Sequence, residues 1–256
     1  MRKPWPVVFA LTLILTALIL MPSAASAGLY ELDQEGNRTY VSSGRIKYMP
    51  ASKEEFIIIF NAAKGAITQI DPEKKLYSEG SLDEYCDAVN SRIDAILKTL
   101  PGEQREKIEE AMSGGNTPDV EVSEGGAGER IAGYDTEKYK VTVNGTVYEE
   151  VWIARDKALL KEINEFNSKW KRKFDACTSK AFALAGVPNI ETSKKYQELQ
   201  NSGWEMKTNI YRGGQLLKTI QAEKLEERDI PESEFSAPAG YKKVPVSLMM
   251  GLGGKL

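Results

Sequence analysis

Five consecutive apolar residues, Phe56-Ile57-Ile58-Ile59-Phe60, constrain the fold more than any other feature of this chain. A strand with one wet face alternates apolar and polar residues, because successive side chains point to opposite sides. This one does not alternate, so both faces must be covered, by helices on one side and by more protein or a ligand on the other. Around it, Thr39–Val41, Ile46–Tyr48, Ala66–Ile70 and Lys75–Tyr77 read as further short strands separated by turn residues, with the apolar strand itself bounded at Glu55 and Asn61. No strand is predicted before Arg38.

The covering layer follows directly in sequence. Ser81 and Glu84 have the spacing of a capping box, in which each side chain accepts a hydrogen bond from the other residue's backbone N–H. Leu82, Tyr85, Cys86, Val89, Ile93, Ile96, Leu97 and Leu100 then recur at helical spacing until Pro101-Gly102 breaks the run, and Glu103–Met112 predicts a second, shorter helix. Ser113 to Glu129 is rich in Gly and acid and predicts a flexible loop, 113–129. Tyr139–Val143 and Thr146–Ile153 flank Asn144-Gly145, the pair that a two-residue hairpin turn demands. Counting outward from that turn sets Val141 opposite Tyr148, Tyr139 opposite Glu150, and Lys140 opposite Glu149 as a cross-strand ion pair. One face of the hairpin then collects Tyr139, Val141, Val143, Tyr148 and Trp152, with Glu150 among them. A long helix is predicted from Asp156 to Leu184, its stripe formed by Leu159, Leu160, Ile163, Phe166, Trp170, Phe174, Cys177, Ala181 and Leu184. Ser193–Gln200 is a shorter helical stretch. Trp204–Arg212 and Gln215–Leu225 form a hairpin about Gly213-Gly214, a last strand lies near Tyr241–Val246, and 247–256 reads as a frayed tail. Hairpins dominate and no βαβ alternation occurs, which predicts an α+β architecture: an antiparallel sheet with amphipathic helices packed on one face.

Residues 1–27 have the layout of a secretory signal peptide. Arg2 and Lys3 precede an apolar run from Val7 to Met21, Pro22 breaks it, and Ala25-Ser26-Ala27 supplies a small-x-small cleavage pattern. The run is shorter than the roughly 20 residues a membrane-spanning helix needs. The expected product is one exported domain, 28–246, periplasmic or secreted. Export favours a disulfide between Cys86 and Cys177. Each lies on the apolar stripe of its helix, so helices packed stripe to stripe would bring the thiols together; two buried free thiols would fit the same stripes.

Composition excludes several chemistries. With no His there is no Ser-His-Asp triad and no His-ligated metal, and two Cys cannot supply a four-cysteine zinc or iron–sulfur site. The net charge of −3 gives no overall attraction to nucleic acid. Neighbouring acids such as Asp83-Glu84, Glu149-Glu150 and Glu226-Glu227 read as solvated faces. No spacing singles out a catalytic pair, so neither enzyme activity nor a cofactor is expected. In Lys169-Trp170-Lys171-Arg172-Lys173 the Trp belongs to the buried stripe and the lysines to the wet face.

Three stretches resemble a known family: Ile70-Asp71-Pro72-Glu73-Lys74-Lys75-Leu76-Tyr77; Ile131-Ala132-Gly133-Tyr134-Asp135-Thr136-Glu137-Lys138-Tyr139-Lys140-Val141 with Glu150-Val151-Trp152-Ile153-Ala154; and Ile230-Pro231, Phe235 and Pro238-Ala239-Gly240-Tyr241-Lys242-Lys243. They are similar to an uncharacterised periplasmic domain family that looks like a relative of the outer-membrane lipoprotein carrier and receptor proteins. The resemblance implies a strongly curved sheet, an incomplete barrel, with helices across its concave side and a cavity that in the carriers holds acyl chains. None of the carriers' functional residues matches a position here. The expected role is a monomeric, non-catalytic binder or carrier of lipid or other apolar material in the bacterial cell envelope; the alternative is an envelope protein-interaction or assembly module. The candidate lining is Phe56, Ile58, Phe60, Tyr139, Val141, Tyr148 and Trp152, with Glu150 either a polar group inside the pocket or turned to solvent by a bulge.

Overall fold

The computed structural model describes residues 26–112, 118–157, 159–160, 164 and 170–251. The signal segment thus lies outside the described residues up to residue 25, as do 113–117 of the Gly- and acid-rich stretch and 252–256 of the tail. The strands are β1 (Ser26–Asp33), β2 (Arg38–Ser42), β3 (Arg45–Met49), β4 (Ile57–Asn61), β5 (Ala66–Asp71), β6 (Leu76–Ser81), β7 (Val120–Glu124), β8 (Arg130–Ile131), β9 (Tyr134–Asp135), β10 (Glu137–Val143), β11 (Thr146–Ala154), β12 (Trp204–Arg212), β13 (Gln215–Ile230) and β14 (Lys242–Lys243). The helices are α1 (Leu82–Leu97), α2 (Gly102–Met112), α3 (Arg172–Leu184), α4 (Lys194–Gln200) and α5 (Val246–Met249).

The architecture is α+β. A 12-stranded sheet runs β14-β6-β5-β4-β3-β2-β1-β13-β12-β11-β10-β7, and only the short β14–β6 pair is parallel. Its two edges, β7 and β14, do not meet, so the curved sheet stays an incomplete barrel. The 16-residue β13 joins the halves: its C-terminal part pairs with β1 and its N-terminal part with β12. The continuous apolar strand is covered on both faces, as its sequence requires. Ile57 and Ile59 pack with Tyr30, Tyr40, Ile70 and Phe235, whereas Ile58 and Phe60 pack with Tyr85, Trp170 and Phe174 of the helical layer.

Local signals are realised where they are strong. Glu84 N donates to Ser81 Oγ at 3.1 Å and Ser81 N to Glu84 Oε2 at 2.7 Å, so the capping box starts α1 as expected. Asn144 and Gly145 both have positive φ, 50° and 77°, which the tight turn between β10 and β11 requires. Cys86 on α1 and Cys177 on α3 form a disulfide with Cα atoms 5.3 Å apart, fixing the two helices stripe to stripe.

The structure departs from the sequence expectation at four places. A strand not anticipated, β1, occupies the centre of the sheet; its turn into β2 is closed by Asp33 Oδ1, which accepts from Glu35 N and Asn37 N. The stretch read as one loop, 113–129, contains β7, which pairs with β10 because Val120 and Val122 fall opposite Val143 and Val141. The predicted last strand is reduced to Lys242–Lys243, and part of the predicted tail forms α5, with Met249 buried. The long predicted helix is helical at 157, 159–160 and 164 and again over α3, with a π-type turn at 170–171 between them, and its remaining positions lie outside the described residues. The β10–β11 register also differs. Tyr148 is an extra residue, so Thr142 faces Val147 but Val141 faces Glu149, Lys140 faces Glu150 and Tyr139 faces Val151. A bulge sets two residues against one and sends everything beyond it to the opposite face. The Lys140–Glu149 ion pair therefore gives way to Lys138–Glu150, at 2.7 Å.

Candidate functional site

A hollow of about 500 Å³ lies between the sheet and α3. Its lining comes from β1 to β4 on one side of β13 and from β11 and β12 on the other, which places it in the concave side of the curve. Val41, Ile46, Phe60 and Ile153 wall it from the sheet, and Phe174 and Phe182 from α3. Residues 174, 178 and 182 are spaced by one helical turn, so Phe174, Thr178 and Phe182 share the face of α3 that looks into the hollow. The helix is pinned at its entry by Trp170, buried with Ala62, Ile67 and Leu82, whose indole N–H donates to Ala62 O at 3.2 Å. Phe174 meets Phe60 edge-on with ring centroids 5.3 Å apart. On the other wall, a Cβ at Gly203 would sit 2.4 Å from Ala154 O, so only glycine lets the chain enter β12 so close to β11.

Half of the polar lining is acidic, Glu31, Asp175, Glu191 and Glu205, beside Thr39, Thr178 and Gln200, with Lys171 the one cation among the described lining residues. Trp204 Nε1–H donates to Glu31 Oε2 at 3.0 Å. Burial nevertheless pushes the Glu31 carboxyl up to about 7, with the nearby charges of Glu205 and Asp33 adding to the effect. Glu205 keeps a large accessible surface although protein encloses it, because that surface faces the hollow. Its carboxyl is also raised by burial, against a hydrogen bond donated by the Thr208 hydroxyl. Lys171 Nζ is held by Glu191 Oε2 at 2.6 Å and Asp175 Oδ2 at 3.2 Å. Gln200 Oε1, also of the lining, is buried and has no hydrogen-bond partner among the described residues. Behind this corner, under α4, Glu149 is buried; desolvation, reinforced by Glu205, pushes it up to about 8, although the Tyr196 hydroxyl bonds to it.

Of the eight residues proposed from sequence, the structure places Phe60 in the hollow. Ile58 packs beside it against the helical layer, and Phe56 is half-buried just before β4. Tyr139, Val141 and Tyr148 belong to a separate cluster with Val120, Val143, Tyr196 and Leu199 beneath α4. The bulge moves Trp152 out of that group and into the cluster of Leu29, Met206 and Leu225, with Lys138 and Lys207 Nζ 4.7 Å and 4.5 Å from its ring centroid. Glu150 turns away from the aromatic face, toward Lys138, Tyr211 and Asn209. Burial works against its charge, but these three hydrogen bonds outweigh it and hold the carboxyl below the usual range. Two expectations of solvation are corrected: Glu149 is buried, and Lys171, part of the basic run, faces the hollow within an ion-pair cluster. Glu31, Trp204 and Glu205 carried no sequence signal for the site. Phe174 stood on the predicted stripe, but a stripe does not say which of its members touch space rather than protein.

The geometry defines an α+β cavity protein, a curved open sheet with helices over an apolar hollow that has an acidic corner. The chain belongs to the family described as a domain of unknown function, DUF4412, which matches residues 98–241. No curated protein matches it. Among solved structures, an uncharacterised conserved protein from Thermus thermophilus is similar over 92% of this chain and 98% of that one, at 8% identity and a TM-score of 0.39. The Pseudomonas aeruginosa MucA/MucB complex is similar over 86% of this chain and 59% of that one, at 10% identity and a TM-score of 0.34. A MucB crystal structure gives 90% and 64%, at 12% identity and 0.28. The chain thus spans about three-fifths of the MucB-containing chains it matches, and scores at this level carry no functional inference.

Proposed function

We propose that the protein is an exported, non-catalytic binder or carrier of an apolar ligand, a lipid chain or a molecule of similar character, in the cell envelope. The observation that carries this reading is the hollow itself. Its volume of about 500 Å³ lies within the range of roughly 300–1,000 Å³ typical of small-molecule sites, and its walls are aromatic and aliphatic. The leader-like segment and the Cys86–Cys177 bridge support export. Organic extraction of protein purified from its native envelope, followed by mass spectrometry, is expected to release a stoichiometric apolar compound. The stripped protein is expected to take up a neutral apolar dye saturably. An empty extract together with no dye uptake overturns the reading. The second reading, an interaction module, is favoured by Leu216 and Leu217, which stand 54% and 65% exposed beside the β12–β13 turn. Crosslinking in the envelope that captures one protein through this turn, with the hollow empty, would select it.

A further inference from the structure

We infer that the ligand of this hollow carries a protonated amine rather than a carboxylate at its polar end, and that Glu31 and Glu205 receive it. The inference rests on the reading of the hollow as a ligand site and adds the chemical class of the headgroup. The two acids share one corner: the Trp204 indole N–H holds Glu31, and Glu205 lines the same space and adds its charge to the surroundings of Glu31. No ion pair reaches either carboxylate among the described residues: Lys171, whose charge is felt at Glu205, is itself bonded to Glu191 and Asp175. Apart from the Thr39 hydroxyl, the free polar capacity of the lining is therefore acceptor capacity, the Glu31 and Glu205 carboxylates and the unpartnered Gln200 Oε1. Acceptors that face an apolar hollow are poorly compensated, and a donor that arrives with a ligand improves on that. An ammonium group brings up to three N–H donors and the opposite charge. The Trp204 ring beside it adds a favourable face for a cation. A fatty carboxylate would bring more acceptors and like charge into the same corner. The raised carboxyl of Glu31 fits this account, since burial without a cation is what keeps it protonated near neutrality.

The test compares three probes of equal chain length, dodecylamine, dodecanol and dodecanoate, below micellar concentration at pH 7. Each displaces a bound neutral dye, N-phenyl-naphthylamine, from the full exported chain. The expected order is amine first, at least about tenfold tighter than the alcohol, with the carboxylate weakest. In the E31Q/E205Q double variant the amine is expected to fall to the affinity of the alcohol, which itself changes by no more than about twofold. A carboxylate that binds as well as the amine, equal binding of amine and alcohol to the unaltered protein, or an amine preference that survives in the double variant overturns the headgroup inference while leaving the apolar-binder reading in place. Failure of all three to displace the dye, or of the dye to bind, removes the binder reading and the inference with it. The ranking on the unaltered protein decides the matter alone if the double variant does not fold.

Discussion

Glu149 makes the stability of this protein depend on pH. Its carboxyl is buried and raised from near 4.5 to about 8, so the folded chain holds a proton there that the unfolded chain releases near its ordinary value. Between those two values the native state binds more protons, and stability must fall as pH rises. The contribution is fully present below the unfolded value, is lost progressively as pH climbs toward 8, and amounts to on the order of 5 kcal/mol over the window. Glu31, raised to about 7, acts in the same direction. The melting temperature is therefore expected to drop between pH 5 and pH 8, and Glu149→Gln should flatten the profile; calorimetry across that range reads both, and a stability that rises with pH would contradict the assignment. The same residue marks where sequence reasoning stops. The Asn144-Gly145 turn specifies the nearest pairs, Val143 with Thr146 and Thr142 with Val147, but nothing in the sequence declares that Tyr148 is extra. One unpaired residue exchanges the faces of Glu149 and Glu150, so of the two alternatives open for Glu150 the bulge is realised: it is ion-paired on the other side, and its neighbour is buried instead.

The elements that could be read were those whose information is local. The Ser81–Glu84 box and the stripe behind it define α1 within a few residues, and Ser81→Ala is expected to cost about 1 kcal/mol, measured by urea unfolding, because Glu84 N loses its acceptor. The elements that were missed depend on distant partners. β1 is central because β13, almost 200 residues later, pairs along it from Ser26↔Ile230 to Asp33↔Ala222, and β7 exists because β10 offers it an edge. Neither strand has enough β-forming residues to declare itself alone. The disulfide is the intermediate case: the stripes of α1 and α3 announced that Cys86 and Cys177 could meet, and the packing brings them together. It closes a separation of 91 residues, so in the chain-entropy account its removal should cost about 4.6 kcal/mol. A Cys86→Ser/Cys177→Ser variant, or reduction of the native protein, is expected to lower the urea midpoint accordingly. Loss of dye uptake beyond that explained by unfolding would show that the bridge also holds α3 at its distance from the sheet.

At the scale of the whole molecule, the hollow is bounded by the sheet and α3. β13 continues from one half of the curved sheet into the other, while α3 crosses it anchored at its entry by Trp170. Space remains between the two under the middle of α3, where Thr178 stands between Phe174 and Phe182. No local sequence pattern encodes that space, because its walls come from strands and helices far apart in the chain. Thr178→Phe tests it directly. The new ring would enter the hollow, and burying a Phe side chain in existing space contributes about 1.5–3 kcal/mol, whereas overpacking a filled core costs about 1–3 kcal/mol. The sign of the stability change therefore reports whether the space is open. The expected result is a melting temperature equal to or above that of the unaltered protein, together with at least about tenfold weaker dye binding. A saturating ligand at 100 times its dissociation constant stabilises the unaltered protein by about 2.7 kcal/mol, and this shift should vanish in the variant. A destabilised variant that still binds dye at full strength would mean that the region under α3 is packed and that the ligand, if there is one, sits elsewhere.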